Sequence, residues 1–191
     1  MIKEAIEYLA NKVQAMNLFE KVYSLVEIVN DADGKSFPAV YNSNGKYQII
    51  HYSFNNGTAY LRKNGVMQLS TIDIESYVGC SVYYRMSMPI KLVVFKKKNK
   101  LPIDCSYSED VLSETILSYL INNTNDARQV LNIKQFNINF NSINSDSANV
   151  WDSETQGIEQ KDVNFDIACV SFEIDLELIV DPSCLTNMCN A

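Results

Sequence analysis

The sequence has one histidine, four prolines and six glycines among its 191 residues. Its apolar runs fall far short of the ~20 residues that a membrane-spanning helix needs. With so little Pro and Gly there is no flexible linker, so no domain boundary is placed and one domain is expected. The lone histidine, His51, falls inside a predicted strand without a neighbouring nucleophile signature, which makes it structural rather than catalytic. Basic charge is also short: the net charge is -7, and a general polyanion binder needs concentrated Lys and Arg. The opening segment MIKEAIEYLANKV mixes charges into its apolar positions, unlike a secretory leader. Five cysteines, Cys80, Cys105, Cys169, Cys184 and Cys189, are odd in number and scattered. That pattern suits free thiols in a reducing cytosol better than a disulfide framework or a zinc site. No cofactor, metal or catalytic residue is expected.

What is abundant is strand pattern. Val82, Tyr84, Met86, Met88, Ile90, Leu92 and Val94 occupy every second position of a long segment, the period of a strand with one buried face. A second long strand is predicted from Val163 to Val180. Its apolar parity changes from Val163, Phe165 and Ile167 to Val170, Phe172 and Ile174, which predicts a bulge around Ala168 to Val170. Ile2, Ala5, Ile6, Leu9, Val13 and Met16 recur at helical spacing and predict a helix ending near Asn17. A central helix follows from Ser106 and Glu109, at capping-box spacing, with the stripe Val111, Leu112, Thr115, Ile116, Tyr119 and Leu120. Between Lys21 and Phe54, Asp33-Gly34 and Asn44-Gly45 divide three β segments into an antiparallel meander. Phe136, Ile138 and Phe140 alternate in a further strand.

DADGKS at Asp31 to Ser36 invites a phosphate loop, but Val29 stands where the first glycine is required. A calcium loop fails too, because Val29 and Val40 fall at its carboxylate positions, so a β-turn remains. Two excursions are expected. Asn56-Gly57 and Asn64-Gly65 bracket a projecting hairpin at about 55–70, and a polar loop spans about 141–161. Their large groups Tyr60, Leu61, Arg62 and Trp151 are the candidate interface residues. Candidate charged contacts are Lys96, Lys97 and Lys98, with Lys100 close by, and the acidic stripe Glu173, Asp175 and Glu177. Arg85 and Lys91 are available on the earlier strand for cross-strand pairs.

The order of helix, meander, long strand, lysine-rich turn, helix, excursion and long strand resembles the tail-completion or tail-terminator class of tailed-bacteriophage neck proteins. The segments IKEAIEYLANKV, VYYRMSMPIKLVVF, SEDVLSETILSYLI and DIACVSFEIDLELIV carry the resemblance over roughly half the chain. Asn is the commonest residue, with Ile and Ser next, a bias that suits an AT-rich phage such as a crAss-like one. The resemblance implies an α+β fold: a twisted, mostly antiparallel sheet packed by the N-terminal and central helices over residues 1–191. It also implies a non-enzymatic virion subunit in a sixfold or twelvefold homo-oligomeric ring, contacting neck, portal or tail proteins. Nucleic acid would at most pass through the lumen, and no membrane is involved. Assembly would take place in the host cytoplasm. Two other readings stay open: a small-ligand protein or enzyme with a pocket over the sheet, using Tyr83, Tyr84 or His51, and a monomeric phage factor that binds a host protein through a strand edge.

Overall fold

The computed structural model describes residues 1–30, 32–42, 44–53, 55–76, 79–101, 108–154 and 166–181, with the backbone alone at 73–76, 79–81 and 108. Its central element is β6, Gly79–Lys97, whose alternating apolar residues are the longest strand signal in the sequence. On one side β6 pairs antiparallel with β8, Ile167–Val180, from Tyr84↔Val180 to Lys97↔Ile167 without a register break. On its other side two strands lie end to end. β4, Thr58–Lys63, covers residues 90–95 of β6, and β5, Gln68–Ser76, covers residues 79–87. β7, Gln135–Asn144, flanks β8, and β1, Lys21–Asn30, runs parallel to β4. β2, Ser36–Tyr41, and β3, Tyr47–Ile49, complete the expected meander. The sheet order is β3-β2-β1-β4-β6-β8-β7, with β5 beside β6, so the fold is α+β with a mostly antiparallel sheet.

Between β4 and β5 the chain steps away from β6 opposite Pro89. The Pro89 carbonyl accepts the Asn64 N–H at 2.8 Å, so the backbone groups of Pro89 face this gap and its missing donor costs no ladder bond to β8. Gly65 packs against the same ring, where an added Cβ would lie 2.6 Å from Pro89 Cγ. Helix α1, Ile2–Ala15, and helix α2, Ser108–Asn123, cover one face of the sheet. Ile6, Leu9, Leu112, Ile116 and Leu120 pack there on the even-numbered residues of β6 and β8. Helix α3, Ala127–Val130, leads into β7, and the buried Tyr8 hydroxyl donates to Asp126 Oδ1 at 2.5 Å, tying α1 to this connection. On the opposite face a smaller cluster forms around Tyr60, Phe95, Trp151 and Cys169.

Three expectations are corrected. Residues 58–63 do not project: β4 is a central strand, with Thr58 to Leu61 buried on both faces between β1 and β6. The parity change in β8 is not a bulge. Ile167 and Cys169 face the second cluster while Ala168 and Val170 face the first, so both parities are apolar because both faces are covered. The irregularity lies in the partner strand, where Asn141 is the extra residue between Phe140↔Ile174 and Ser142↔Glu173. Val163 and Phe165 lie outside the described residues. Finally, the 141–161 excursion contains the end of β7 and helix α4, Ser147–Glu154, folded onto the sheet through Val150 and Trp151, while residues 155–165 lie outside the described set.

Gly57 turns the chain into β4 at φ +86, and a Cβ there would stand 2.9 Å from the Leu18 carbonyl oxygen and from Phe19 Cδ1. Gly57→Ala therefore meets both strain and a backbone clash. It should lower the unfolding free energy in urea by about 3 kcal/mol, and an unchanged midpoint would contradict this packing.

Candidate assembly surface

The element that leaves the body of the molecule is the β5–β6 hairpin. β8 has its last partner at Tyr84, so among the described residues β6 from Gly79 to Tyr83 pairs only with β5, through Ile72↔Tyr83 to Ser76↔Gly79. Residues 77–78, at its turn, lie outside the described set. This two-stranded arm carries exposed Val82 (47%), with Leu69 (53%), Val66 (83%) and Met67 exposed at its root. An isolated ribbon of two strands is marginal in water, and clustered exposed apolar side chains mark contact surfaces. A groove of about 690 Å³ opens at the root, lined by Leu25, Val40, Tyr41, Met67 and Met88 with Lys63 on its rim. It exists because β1 exchanges partners. Its first half pairs with β4 and its second with β2, and between them Leu25 adopts φ +55 at a register break. Sequence reasoning missed this arm, although Ile72 and Ile74 alternate with Asp73 and Glu75 between Gly65 and Gly79, which is a strand signal.

The residues expected at an interface are inside the protein. Tyr60, Leu61 and Trp151 are buried, so they have no surface to offer a partner. Phe95 stacks against Tyr60 at 6.1 Å and meets Trp151 edge-on at 5.7 Å. Arg62 is part of an ion network closed by Glu154, a residue that the sequence did not single out. The side chain of Glu154 is 1% exposed. It accepts from Arg62 Nε at 3.0 Å, Arg62 Nη2 at 3.0 Å, the Tyr60 hydroxyl at 2.9 Å and Lys91 Nζ at 2.8 Å. Burial alone would raise the Glu154 carboxyl, but Arg62 and Lys91 hold it below its ordinary value, so it stays ionised. The network fastens α4 to β4 and β6. No local motif announces it, because its members are brought together only by the sheet.

The lysine cluster is divided between roles. Lys96 is buried, its ammonium donating to the backbone carbonyls of Leu18 and, at 3.4 Å, Asn56, and burial lowers its pKa. Lys98 pairs with Glu109 at 2.6 Å, whereas Lys97 is half-buried and Lys100 exposed. In the acidic stripe, Glu177 lies 3.5 Å from Arg85, the cross-strand pair expected, and accepts from Asn137. Asp175 accepts from Asn141 at 2.9 Å and Glu173 from Ser142 at 3.1 Å. Lys91 stands opposite Glu173 in register but reaches Glu154 instead. His51 lies beyond β3 on the surface rather than within a strand, and its backbone meets the Tyr23 hydroxyl at 3.4 Å. Burial pushes the Cys169 thiol up to about 12, which leaves it unreactive. The side chain of Cys80, and Cys105, Cys184 and Cys189, lie outside the described set. Among the described residues no helix is long and apolar enough to cross a membrane. No family model and no curated protein matches the sequence.

Glu154→Ala strands two half-buried cations and should cost about 3 kcal/mol of stability; Trp151→Ala should cost about 3–5 kcal/mol through the cavity it opens. Both effects should appear in the isolated chain. The depressed Glu154 carboxyl stabilises the fold fully above its unfolded value of about 4.5, and this contribution is lost as the pH falls through the lower folded value. Acid titration of Glu154→Gln should therefore show a shallower loss of stability below pH ~4.5 than the parent. Identical acid limbs would contradict the network.

Proposed function

We propose that this chain is a structural subunit of a homo-oligomeric ring of the tail-completion type, placed in the neck or tail of a tailed bacteriophage, where it joins portal or neck to tail. The observation that carries this reading is the β5–β6 arm, a hairpin that leaves the sheet with exposed Val82 and with Leu69, Val66 and Met67 exposed at its root. A head-to-tail ring brings a different surface of the neighbour to such an arm, and this heterologous contact closes when the rotation between copies divides a full turn. The body beneath is suited to holding the arm in place. β6 is clamped by β4 and β5 on one side and β8 on the other, and helices cover its even-numbered residues from Met86 to Val94.

The test is native mass spectrometry of the full chain beside a variant in which residues 72–83 are replaced by Asn-Gly. The full chain should give one closed stoichiometry, seen as rings with a central channel in negative stain. The variant should be monomeric with an unchanged thermal midpoint. A full chain that stays monomeric at micromolar concentration would overturn the ring. Rings that survive the replacement would remove the arm from the contact.

A further inference from the structure

We infer that the arms of neighbouring copies join edge to edge, the free side of Gly79–Tyr83 on β6 of one copy pairing antiparallel with the free side of Ile72–Ser76 on β5 of the next. This deepens the ring reading and rests on it. The partner is a second copy of this chain, and the contact is a backbone ladder that continues around the ring as a crown of hairpins.

Four observations carry it. Among the described residues, β6 has no neighbour on its β8 side beyond Tyr84 and β5 has none on its outer side, so within that set the arm has two unpaired edges. Unpaired edge groups are templates for another strand. The β6 edge of the arm also lacks the usual protection: residues 79–84 contain no charge and no Pro, and the β5–β6 register runs from Gln68↔Ser87 to Ser76↔Gly79 without a bulge.

Strand direction selects the neighbour. β5 and β6 are antiparallel within one arm, so a second copy in the same orientation offers β5 antiparallel to β6 with no inversion and no shift along the strands. Each β5 would then have the same strand type on both sides, its own β6 and the neighbour's. The alternation of faces already satisfied inside the hairpin is preserved.

Charge argues against the symmetric alternative. β5 carries Asp73 and Glu75, whereas residues 79–83 of β6 carry no charge. Pairing β5 with its own copy brings two acidic strands together, which is unfavourable; pairing it with β6 alternates acidic and neutral strands. The other free edges fit less well. β3 has 3 residues, and β7 carries the Asn141 bulge.

The test uses full-length chains with Cys80, Cys105, Cys184 and Cys189 changed to Ser. One preparation carries Ile72→Cys and the other Tyr83→Cys or, to sample the next register that keeps the same face, Ser81→Cys. Ile72 and Tyr83 are opposed within one hairpin, so each chain carries only one cysteine of a pair and a disulfide can form only between copies. Mixed, reassembled and oxidised, the two preparations should give a covalent dimer on a non-reducing gel, while either alone gives none. Thermal melts matching the parent confirm that the variants fold. Dimers from Ile72→Cys alone would mean β5 against β5 and would overturn the inference. Rings by native mass spectrometry with no dimer in any mixture would overturn it as well and leave the ring standing. Monomers under the same conditions would remove both.

Discussion

A strand of 19 residues needs hydrogen-bonded neighbours along its whole length, and β6 has no single partner long enough on either side. At about 3.3 Å per residue it extends for about 60 Å. Among the described residues, cover on the β8 side stops at Tyr84; on the other, two short strands divide the length between them. The rest of the architecture adapts to this mismatch. The step at Asn64 to Met67 is the junction between the two short strands, Pro89 is tolerated because its absent donor falls at that junction, and the arm is the part of β6 that outruns β8.

The face of the sheet away from α1 and α2 is held by a different kind of force. α4 brings Trp151 over Phe95 and Tyr60, and at the edge of this aromatic cluster Glu154 receives Arg62, Lys91 and the Tyr60 hydroxyl. A buried ion network of this kind contributes little net stability over an apolar substitute, but leaving one partner without the others is costly. Its consequence is specificity of placement: α4 has one position in which both cations are satisfied.

Much of the scaffold was legible in the sequence, because period-2 and period-3.6 patterns survive wherever one face is buried. α1, the β1–β3 meander, β6 and β7 belong to that class. TAYLRK was misread because two Asn-Gly pairs resemble hairpin turns and because Arg62 and Lys63 suggest solvent. Its central place depends on Glu154, 92 residues further on. The parity change in β8 was misread for a related reason, since strict alternation holds only while one face is wet, and at Ile167 to Val170 neither is. Trp151 looked exposed because its neighbours are polar, yet a short helix needs only one such side chain to seat it. The arm was passed over although Ile72 and Ile74 alternate with Asp73 and Glu75, because the run of strict alternation is short and the Asn64-Gly65 turn signal drew the hairpin boundary before it.

The central claim is that the bare end of β6 acquires its missing neighbour from another copy. Amide hydrogen exchange, followed residue by residue at concentrations below and above assembly, tests it directly. The account predicts that amides within 72–76 and 79–83 exchange rapidly in the dilute chain and become protected on assembly, while amides paired between β6 and β8 are protected in both. Equal, rapid exchange of the arm in the assembled state would contradict it.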